Sequence, residues 1–229
     1  MWESGEPPAA LSRAEALGLH RNAAGNRAGE PGWRHACHVL LYAPLPAGSP
    51  PPGYAVLMQL RFDGRFGFPG GLVEPGEESL EAGLHRELLE ELGPAAAELR
   101  LGPGHHCGAR AWPAAGGGSG SDVGLVTHFY IRRLPLEQLV AIERGGPRSP
   151  EHGLEVQGLV RVPLGRGLPA FLRNCFAGDA REQLVGAFPI LGIQPPHNEE
   201  LVGDPKARRP LTTKLMAGEG GGGGGRAMT

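Results

Sequence analysis

The feature that most constrains this chain is a glycine-rich loop that runs directly into a helix carrying three closely spaced acids. The loop at 67–71 has the sequence GFPGG, and the helix predicted after it contains Glu87, Glu90 and Glu91. Successive helical residues rotate by about 100°, so these three carboxylates project from one face, within about 6 Å along the helix axis. Like charges this close destabilise a helix unless a cation neutralises them. The spacing therefore predicts a site for Mg²⁺ or Mn²⁺, which prefer oxygen ligands.

The same acids also have a simpler interpretation, which is a solvated acidic helix face in which Arg86 bridges to Glu90. Acidic surface helices are common, and the glutamates alone do not decide between the two. The glycines upstream favour the binding site, because a backbone without Cβ atoms can approach a ligand closely and this loop leads straight to the acids.

An α/β architecture follows from the pattern around this segment. Leucines recur every four residues through the acidic helix, Ser79 is a suitable N-cap, and Gly93-Pro94 ends the helix. Short apolar runs at 38–43 and 54–60 predict strands, and further strands are expected near 123–134 and 154–162. Helices are expected near 135–144 and 180–188. Strands and helices mixed in this way predict an α/β sandwich with a mixed β-sheet.

The composition of the ends sets the expected domain boundaries. The 229 residues include 39 glycines and 23 prolines, so much of the chain must be loop or tail. We expect a flexible N-terminal arm at 1–30 with one short helical pattern near 12–19, a single domain at 31–197, and a disordered tail at 198–229 that contains six consecutive glycines. Both ends are expected to be dispensable. A Gly/Ser-rich loop is expected at 113–124.

The charge and the cysteines narrow the class of protein. A formal net charge of −2 gives no general attraction for polyanions, so contact with nucleic acid would need a local basic patch. Three widely spaced cysteines indicate reduced thiols in an intracellular protein. The N-terminus lacks the apolar segment of a secretory signal, and no run approaches the roughly 18 apolar residues of a membrane span.

Two histidine groups are candidate metal ligands. One group has the spacing of half a zinc site and comprises His35, Cys37 and His38. A structural zinc needs about four ligands, and no matching pair lies nearby in the sequence. Packing in a strand is therefore favoured. For the pair His105-His106, exposure to solvent beside a loop is favoured.

The acidic segment resembles the Nudix box, whose pattern is G-x5-E-x7-R-E-U-x-E-E-x-G-U, where U is a bulky aliphatic residue. The match comprises Glu78, Arg86, Glu87, Leu88, Glu90, Glu91 and Gly93. Two departures are present: six residues instead of five separate Gly71 from Glu78, and Pro94 stands where the final aliphatic belongs. Neither removes a ligand. The resemblance implies a Nudix α/β/α sandwich that hydrolyses a phosphoanhydride bond with a divalent metal.

Four further blocks, at 32–38, 57–65, 152–156 and 180–184, are similar to the Nudix hydrolase 16 subgroup, which shares the longer box loop. The similarity implies a homodimer that uses two or three Mg²⁺ or Mn²⁺ ions. It implies hydrolysis of (deoxy)inosine diphosphate to the monophosphate and removal of 5′ caps, m7G or metabolite, from RNA such as small nucleolar RNA. It also implies a location in the nucleus (nucleolus and nucleoplasm) and the cytoplasm.

The resemblance also assigns roles to particular residues. It implies metal binding by the Gly70 carbonyl and by Glu87, Glu90, Glu91 and Glu155, with these four acids forming the catalytic set and Glu155 acting as ligand or base. It implies substrate contacts from His38, Arg61, Phe68 and Gln183. The family has a histidine near position 110 that helps to hold an additional metal ion, whereas this chain has Arg110. His105 and His106 are the candidates to replace it.

Two rival functions stay open at this point. One is a catalytically silent Nudix-fold module that binds RNA or a protein, as in a sister lineage that has lost acids of the box; the retained glutamates argue against it. The other is a Nudix enzyme for another substrate, such as a nucleotide sugar or a dinucleotide cofactor. The residues that distinguish this second rival are the implied substrate contacts, since they lie outside the shared box or, like Phe68, at its entrance.

Overall fold

The computed structural model describes residues 8–24, 32–77, 79–114 and 123–193. Its strands are β1 (Trp33–Pro44), β2 (Tyr54–Arg61), β3 (Phe66–Gly67), β4 (Gly70–Leu72), β5 (His106–Trp112), β6 (Gly124–Arg133) and β7 (Val156–Pro163). Its helices are α1 (Arg13–Ala24), α2 (Leu80–Leu92), α3 (Leu136–Gly145), α4 (Leu168–Phe171) and α5 (Ala180–Ala187). Three short 3₁₀ turns lie at Pro94–Glu98, Pro103–His105 and Gly146–Arg148.

The strands form one mixed sheet, as predicted. Its central order is β3-β2-β1-β6-β5, with β4 paired to β1 and β7 paired to β2. The long β1 is parallel to β6 along its whole length, and the other pairs are antiparallel. One edge of β1 is shared, so that β4 pairs with its first half and β2 with its second. This arrangement brings the glycine-rich loop to the middle of the sheet.

Helices cover both faces of the sheet, which gives the predicted α/β/α layers. Alternate residues of β1 point to opposite faces: Val39 and Leu41 join the core under α2 and α3, whereas Leu40 joins the core under α4 and α5. The first core includes Leu84 and Leu88 of α2, and the second includes Leu184 and Phe188 at α5. The two cores hold the sheet between two fixed helical layers.

The acidic helix has the predicted boundaries. Ser79 is its N-cap, and its hydroxyl accepts a hydrogen bond from the Ala82 N–H at 3.1 Å. Gly93 ends it with φ +77° and donates its own N–H to Leu89 O, a conformation that favours glycine. All four stripe leucines are buried: Leu80, Leu84, Leu88 and Leu92. Burial of this stripe fixes the rotation of the helix and therefore the direction of its acids.

The N-terminal segment differs from the expected flexible arm, which is wrong for residues 8–24. Leu11 exchanges two backbone hydrogen bonds with Ala109 on the edge strand β5, at 2.7 and 2.9 Å. Arg13 forms a two-pronged ion pair with Glu81 at the start of α2, and Ala16 is fully buried. An edge strand presents unpaired backbone groups, and this segment satisfies some of them. The predicted tail at 198–229 and most of the Gly/Ser loop lie outside the described residues.

Two further expectations concern membranes and thiols. No helix in the described ranges is long and apolar enough to span a membrane. The three cysteines, Cys37, Cys107 and Cys175, carry free thiols.

Candidate active site

Two glycines allow the loop to reach the acidic helix. Gly70 has φ +125°, and a Cβ there would lie 2.1 Å from the Cys37 carbonyl oxygen, so no other residue fits the pairing of β4 with β1. A Cβ on Gly71 would lie 2.5 Å from a carboxylate oxygen of Glu87. The second glycine therefore leaves the space that the Glu87 carboxylate occupies, which explains physically why the loop and the helix belong together.

Glu91 is the most deeply buried of the three acids, with 3% of its surface exposed. One carboxylate oxygen accepts a hydrogen bond from the Gln59 amide at 2.8 Å, and the other accepts from the Gly70 N–H at 2.6 Å. Burial raises the pKa of Glu91 to about 8, against the lowering effect of these two hydrogen bonds. The site thus holds this carboxylate in a fixed position where a charge is costly without a cation.

Arg86 gathers the other two acids. Its guanidinium donates to Glu87 at 2.9 Å, to Glu90 at 2.8 Å, to Glu77 at 2.9 Å and to the Leu72 carbonyl at 2.8 Å. Burial raises the pKa of Glu87, and the neighbouring Arg86 works against that rise. The simpler interpretation of a solvated acidic face predicted the ion pair between Arg86 and Glu90, and this pair is present. It belongs, however, to a network in which Arg86 also binds the loop at the Leu72 carbonyl.

Glu155 completes the acidic group from another element. It lies in the exposed turn just before β7, not within the strand, and its backbone carbonyl accepts the Phe62 N–H at 2.9 Å. Its charge faces Glu87 and contributes to the raised pKa of that residue. The charge of Glu155 therefore acts on Glu87, and its role as metal ligand or base stays a prediction.

The donor atoms of this group suit a hard divalent cation, since carboxylate oxygens and a backbone carbonyl are the ligands that Mg²⁺ and Mn²⁺ take. Within the described parts of the chain, no three acidic, imidazole or thiol groups are already arranged as a metal site. Arg86 joins Glu87 to Glu90, and hydrogen bonds hold Glu91. Metal binding would require the Arg86 contacts to rearrange.

His38 lies on β1 on the same side of the sheet as Leu40, and Arg61 is the last residue of β2. Burial lowers the pKa of His38 to about 4, and Asp179 and Arg61 are the charges that face it. The Arg61 guanidinium lies 3.6 Å from Asp63 and faces Glu91 electrostatically. His38 is therefore neutral at pH 7, so it can form hydrogen bonds to a ligand but supplies no charge.

Gln183 lines a cavity of about 230 Å³ between β5, β6 and α5. Phe129, which is the register partner of His38 on the neighbouring strand, lines the same cavity. The charges facing one another run from Glu91 through Arg61 and His38 to Asp179 on the cavity wall. Glu87, Glu90, Glu91 and Glu155 do not line this cavity among the described residues.

Phe68 does not line this cavity among the described residues. It is 2% exposed and packs against the Phe129 ring with centroids 5.3 Å apart, inside the core under α5. This buried position does not agree with the predicted direct contact between Phe68 and the substrate. The resemblance implied a substrate contact, but the ring is covered by tertiary packing and supports the cavity wall from behind.

Sequence reasoning missed an ion pair on the cavity wall. Arg110 on β5 donates to the Asp179 carboxylate at 2.7 Å, just before α5 begins. The two residues are 69 positions apart. The only signal in the sequence was the departure of Arg110 from the family's histidine.

Both histidine groups that were considered as metal ligands have side-chain partners in the structure. His35 bonds to His128 at 2.9 Å, and His128 bonds to His106 at 3.0 Å, in a buried row on the face opposite to His38. His105 contacts Arg132 at 2.6 Å. His105 and His106 are therefore partly buried and hydrogen-bonded, so their expected exposure to solvent is wrong, while the replacement of the family's histidine by either of them stays a prediction. A zinc half-site is excluded as well, because strand alternation points Cys37 and His38 to opposite faces.

Comparison with known proteins gives the family. A family model described as "Nudt16-like: U8 snoRNA-decapping enzyme-like" matches residues 35–193. The "U8 snoRNA-decapping enzyme" of Ovis aries is 54% identical over 175 residues, covering 72% of this chain and 86% of that protein. The "Tudor-interacting repair regulator protein" of Homo sapiens is 41% identical over 201 residues, covering 84% of each. A solved mutT/nudix family protein from Listeria innocua is 18% identical with a TM-score of 0.49, covering 71% of this chain and 96% of that one. This chain belongs to the Nudt16-like family of Nudix hydrolases.

Proposed function

We propose that this protein is a metal-dependent Nudix pyrophosphohydrolase that hydrolyses inosine diphosphate-type nucleotides to monophosphates and removes 5′ caps from RNA. The observation that carries the proposal is the contact of Glu87 and Glu91 with the glycine-rich loop, with Arg86 joining Glu87 to Glu90 and the charge of Glu155 acting on Glu87. The similarity to proteins named for snoRNA decapping supports the RNA substrate.

The roles of the acids follow from their positions. Two or three Mg²⁺ or Mn²⁺ ions held here would supply Lewis-acid chemistry, lowering the pKa of an attacking water and neutralising charge on the phosphate. Glu87, Glu90, Glu91 and the Gly70 carbonyl would hold these ions. Glu155, which is exposed and faces Glu87, is placed either to complete the ligands or to accept the proton of the water.

In this proposal the substrate would lie between the acids and the cavity. Arg61 faces both Glu91 and His38, so its forked guanidinium is placed to bind phosphate oxygens beside the metal ligands. His38 provides a neutral hydrogen bond between the two ends. The base would enter the cavity lined by Gln183 and Phe129.

Homodimer formation and a location in the nucleus and cytoplasm belong to the same proposal and are supported by the family resemblance. Light scattering of the purified protein and imaging of the tagged chain test them directly.

One rival deserves an experiment because of the 41% identity to a protein named as a repair regulator. A silent binding module would turn over no substrate. We therefore propose a screen of inosine, guanosine and adenosine diphosphates, nucleotide sugars, dinucleotide cofactors and capped RNAs, each with Mg²⁺ and with Mn²⁺. Glu91→Gln serves as the inactive variant and the exposed Glu98→Gln as its matched control.

The expected result is metal-dependent release of monophosphate from inosine diphosphate and decapping of RNA, lost in Glu91→Gln and kept in Glu98→Gln. Turnover of nucleotide sugars or cofactors alone would support the other enzyme class. Absence of turnover with every substrate and both metals would overturn the proposal in favour of a binding module.

A further inference from the structure

The ion pair between Arg110 and Asp179 spans the two walls of the cavity. Arg110 is on β5 and Asp179 stands at the start of α5, and both line the cavity together with Gln183. Arg110 Nη1 lies 2.7 Å from Asp179 Oδ2, and the side chains are 25% and 10% exposed. Because a half-buried charge pair on a cavity wall is held in place by its own attraction, the guanidinium presents its remaining donors in a fixed direction.

Asp179 is oriented by this pair and not by the helix. It occupies the N-cap position of α5, where an aspartate usually accepts a hydrogen bond from a backbone N–H of the first turn. No such side-chain bond is made here. The carboxylate turns instead towards Arg110 and faces His38. This orientation favours a role on the cavity side of the helix.

The rest of the cavity wall is largely apolar. Phe129, Ile131 and Ile190 contribute to it, Glu182 adds a second acid besides Asp179, and no other lysine or arginine lines it among the described residues. Arg110 carries five N–H groups, and Asp179 is its hydrogen-bond partner within the described residues. Most of its donors are therefore free for a ligand. Since Asp179 already balances its charge and would repel a phosphate, the group recognised is a neutral acceptor.

We propose that Arg110, held by Asp179, is a specificity-determining residue that donates hydrogen bonds to the O6 and N7 atoms of a 6-oxopurine. An arginine fork matches this pair of acceptors, whereas the 6-amino group of adenine is a donor and opposes the guanidinium. The inference rests on the proposed function, because it names the base that the same site selects. It identifies hypoxanthine or guanine as the base and assigns the choice to a pair that departs from the family pattern.

The structural alternative is that the pair only clamps β5 to α5. The two roles give different results with variants that remove the guanidinium. A clamp would change stability and would weaken all substrates alike, whereas a base contact would change the ratio between substrates. Arg110→Met keeps the length and apolar stem of the side chain and removes its donors. The matched control is Arg166→Met, an exposed arginine in the segment between β7 and α4.

The experiment measures kcat/KM for inosine, guanosine and adenosine diphosphates with Mn²⁺, together with thermal midpoints, for the wild type, Arg110→Met, Asp179→Asn and Arg166→Met. Arg110→Met is expected to lower kcat/KM for both 6-oxopurines by about 10- to 100-fold, mainly through KM, with adenosine diphosphate changed by about twofold at most. Asp179→Asn, which keeps the guanidinium but loosens it, is expected to cause a smaller loss of the same preference. Arg166→Met should match the wild type.

Binding of inosine and adenosine monophosphates by calorimetry keeps this test separate from catalysis. If the wild type turned over no diphosphate, the proposed function would fail, yet a preference for inosine monophosphate that disappears in Arg110→Met would still support the base contact. Equal losses for 6-oxo and 6-amino purines, in either assay, would overturn the inference. Unchanged selectivity with a lowered thermal midpoint would show a clamp instead.

Discussion

Replacing Glu91 by glutamine should lower activity while raising the stability of the metal-free protein. In the folded protein Glu91 is 3% exposed, and its oxygens accept from Gln59 and from the Gly70 N–H. A glutamine keeps its carbonyl oxygen for Gly70. Its new amide can donate to the Gln59 carbonyl oxygen, which is buried without a hydrogen-bond partner. The substitution therefore preserves both contacts after one amide flip and removes an acid that must either bury its charge or take up a proton when the chain folds.

The magnitudes follow from these contacts. Removing a buried charge while keeping its hydrogen bonds should raise the free energy of unfolding by about 1–3 kcal/mol in chelator. Losing one metal ligand should lower kcat by about 10²-fold or more, the usual cost of lost electrostatic stabilisation in a transition state. Urea unfolding with and without Mn²⁺, and turnover of inosine diphosphate, give both quantities. Mn²⁺ should stabilise the wild type more than the variant, because binding to the native state alone shifts the equilibrium.

Glu98→Gln, an exposed acid beyond the helix, controls for the loss of one negative charge. Near-normal turnover of Glu91→Gln with unchanged dependence on metal would refute the assignment of Glu91 as a ligand. A marked loss of stability in chelator would refute the account of its hydrogen bonds.

Three other perturbations test separate parts of the account. Deleting residues 1–31 removes two backbone hydrogen bonds to β5 and a two-pronged ion pair to α2. The free energy of unfolding, measured by urea denaturation, should therefore fall by about 2–4 kcal/mol. An unchanged free energy would support the prediction of a flexible arm. Gly71→Ala places a Cβ 2.5 Å from a Glu87 oxygen and should lower kcat by at least about tenfold. The control Gly158→Ala, whose Cβ would meet no atom within 4 Å, should leave kcat unchanged. Equal kinetics for the two variants would contradict the fit of the loop to the helix. Burial lowers the pKa of His128 to about 3 in the folded protein. Below about pH 6.5 the unfolded chain therefore binds a proton at this histidine and the folded chain does not, so the free energy of unfolding decreases as the pH falls. Urea unfolding should show a decrease of about 2 kcal/mol in the free energy of unfolding between pH 7 and pH 5. If His128→Gln shows the same decrease, another group is responsible.

The sequence predicted the elements whose signals are local. The acidic helix is an example, since the leucine spacing, the Ser79 cap and the Gly93 stop all lie within the segment itself. The strands β1, β2, β6 and β7 and the mixed character of the sheet followed from apolar runs bounded by turns, whereas the pairing of the strands was not predicted. The acids of the box were likewise identified from spacing alone, because one helical face fixes their relative positions.

The remaining features depend on contacts between distant residues. Docking of the N-terminal segment depends on Leu11 reaching the edge strand at Ala109, and nothing in its alanine-rich composition marks that contact. Phe68 was assigned a substrate contact from the resemblance, yet packing against Phe129 covers it. The pair between Arg110 and Asp179 could not be found because neither residue has a local motif. In each case tertiary packing, not local propensity, decides the outcome.

The most direct test of the central claim is the position of bound manganese in crystals soaked in Mn²⁺, located from its anomalous scattering. The account predicts manganese within about 2.2 Å of carboxylate oxygens of Glu87, Glu90 and Glu91, with the Arg86 guanidinium displaced from between them. Manganese bound elsewhere, or Arg86 still joining Glu87 to Glu90 at saturating metal, would contradict the assignment of this helix as the catalytic metal site.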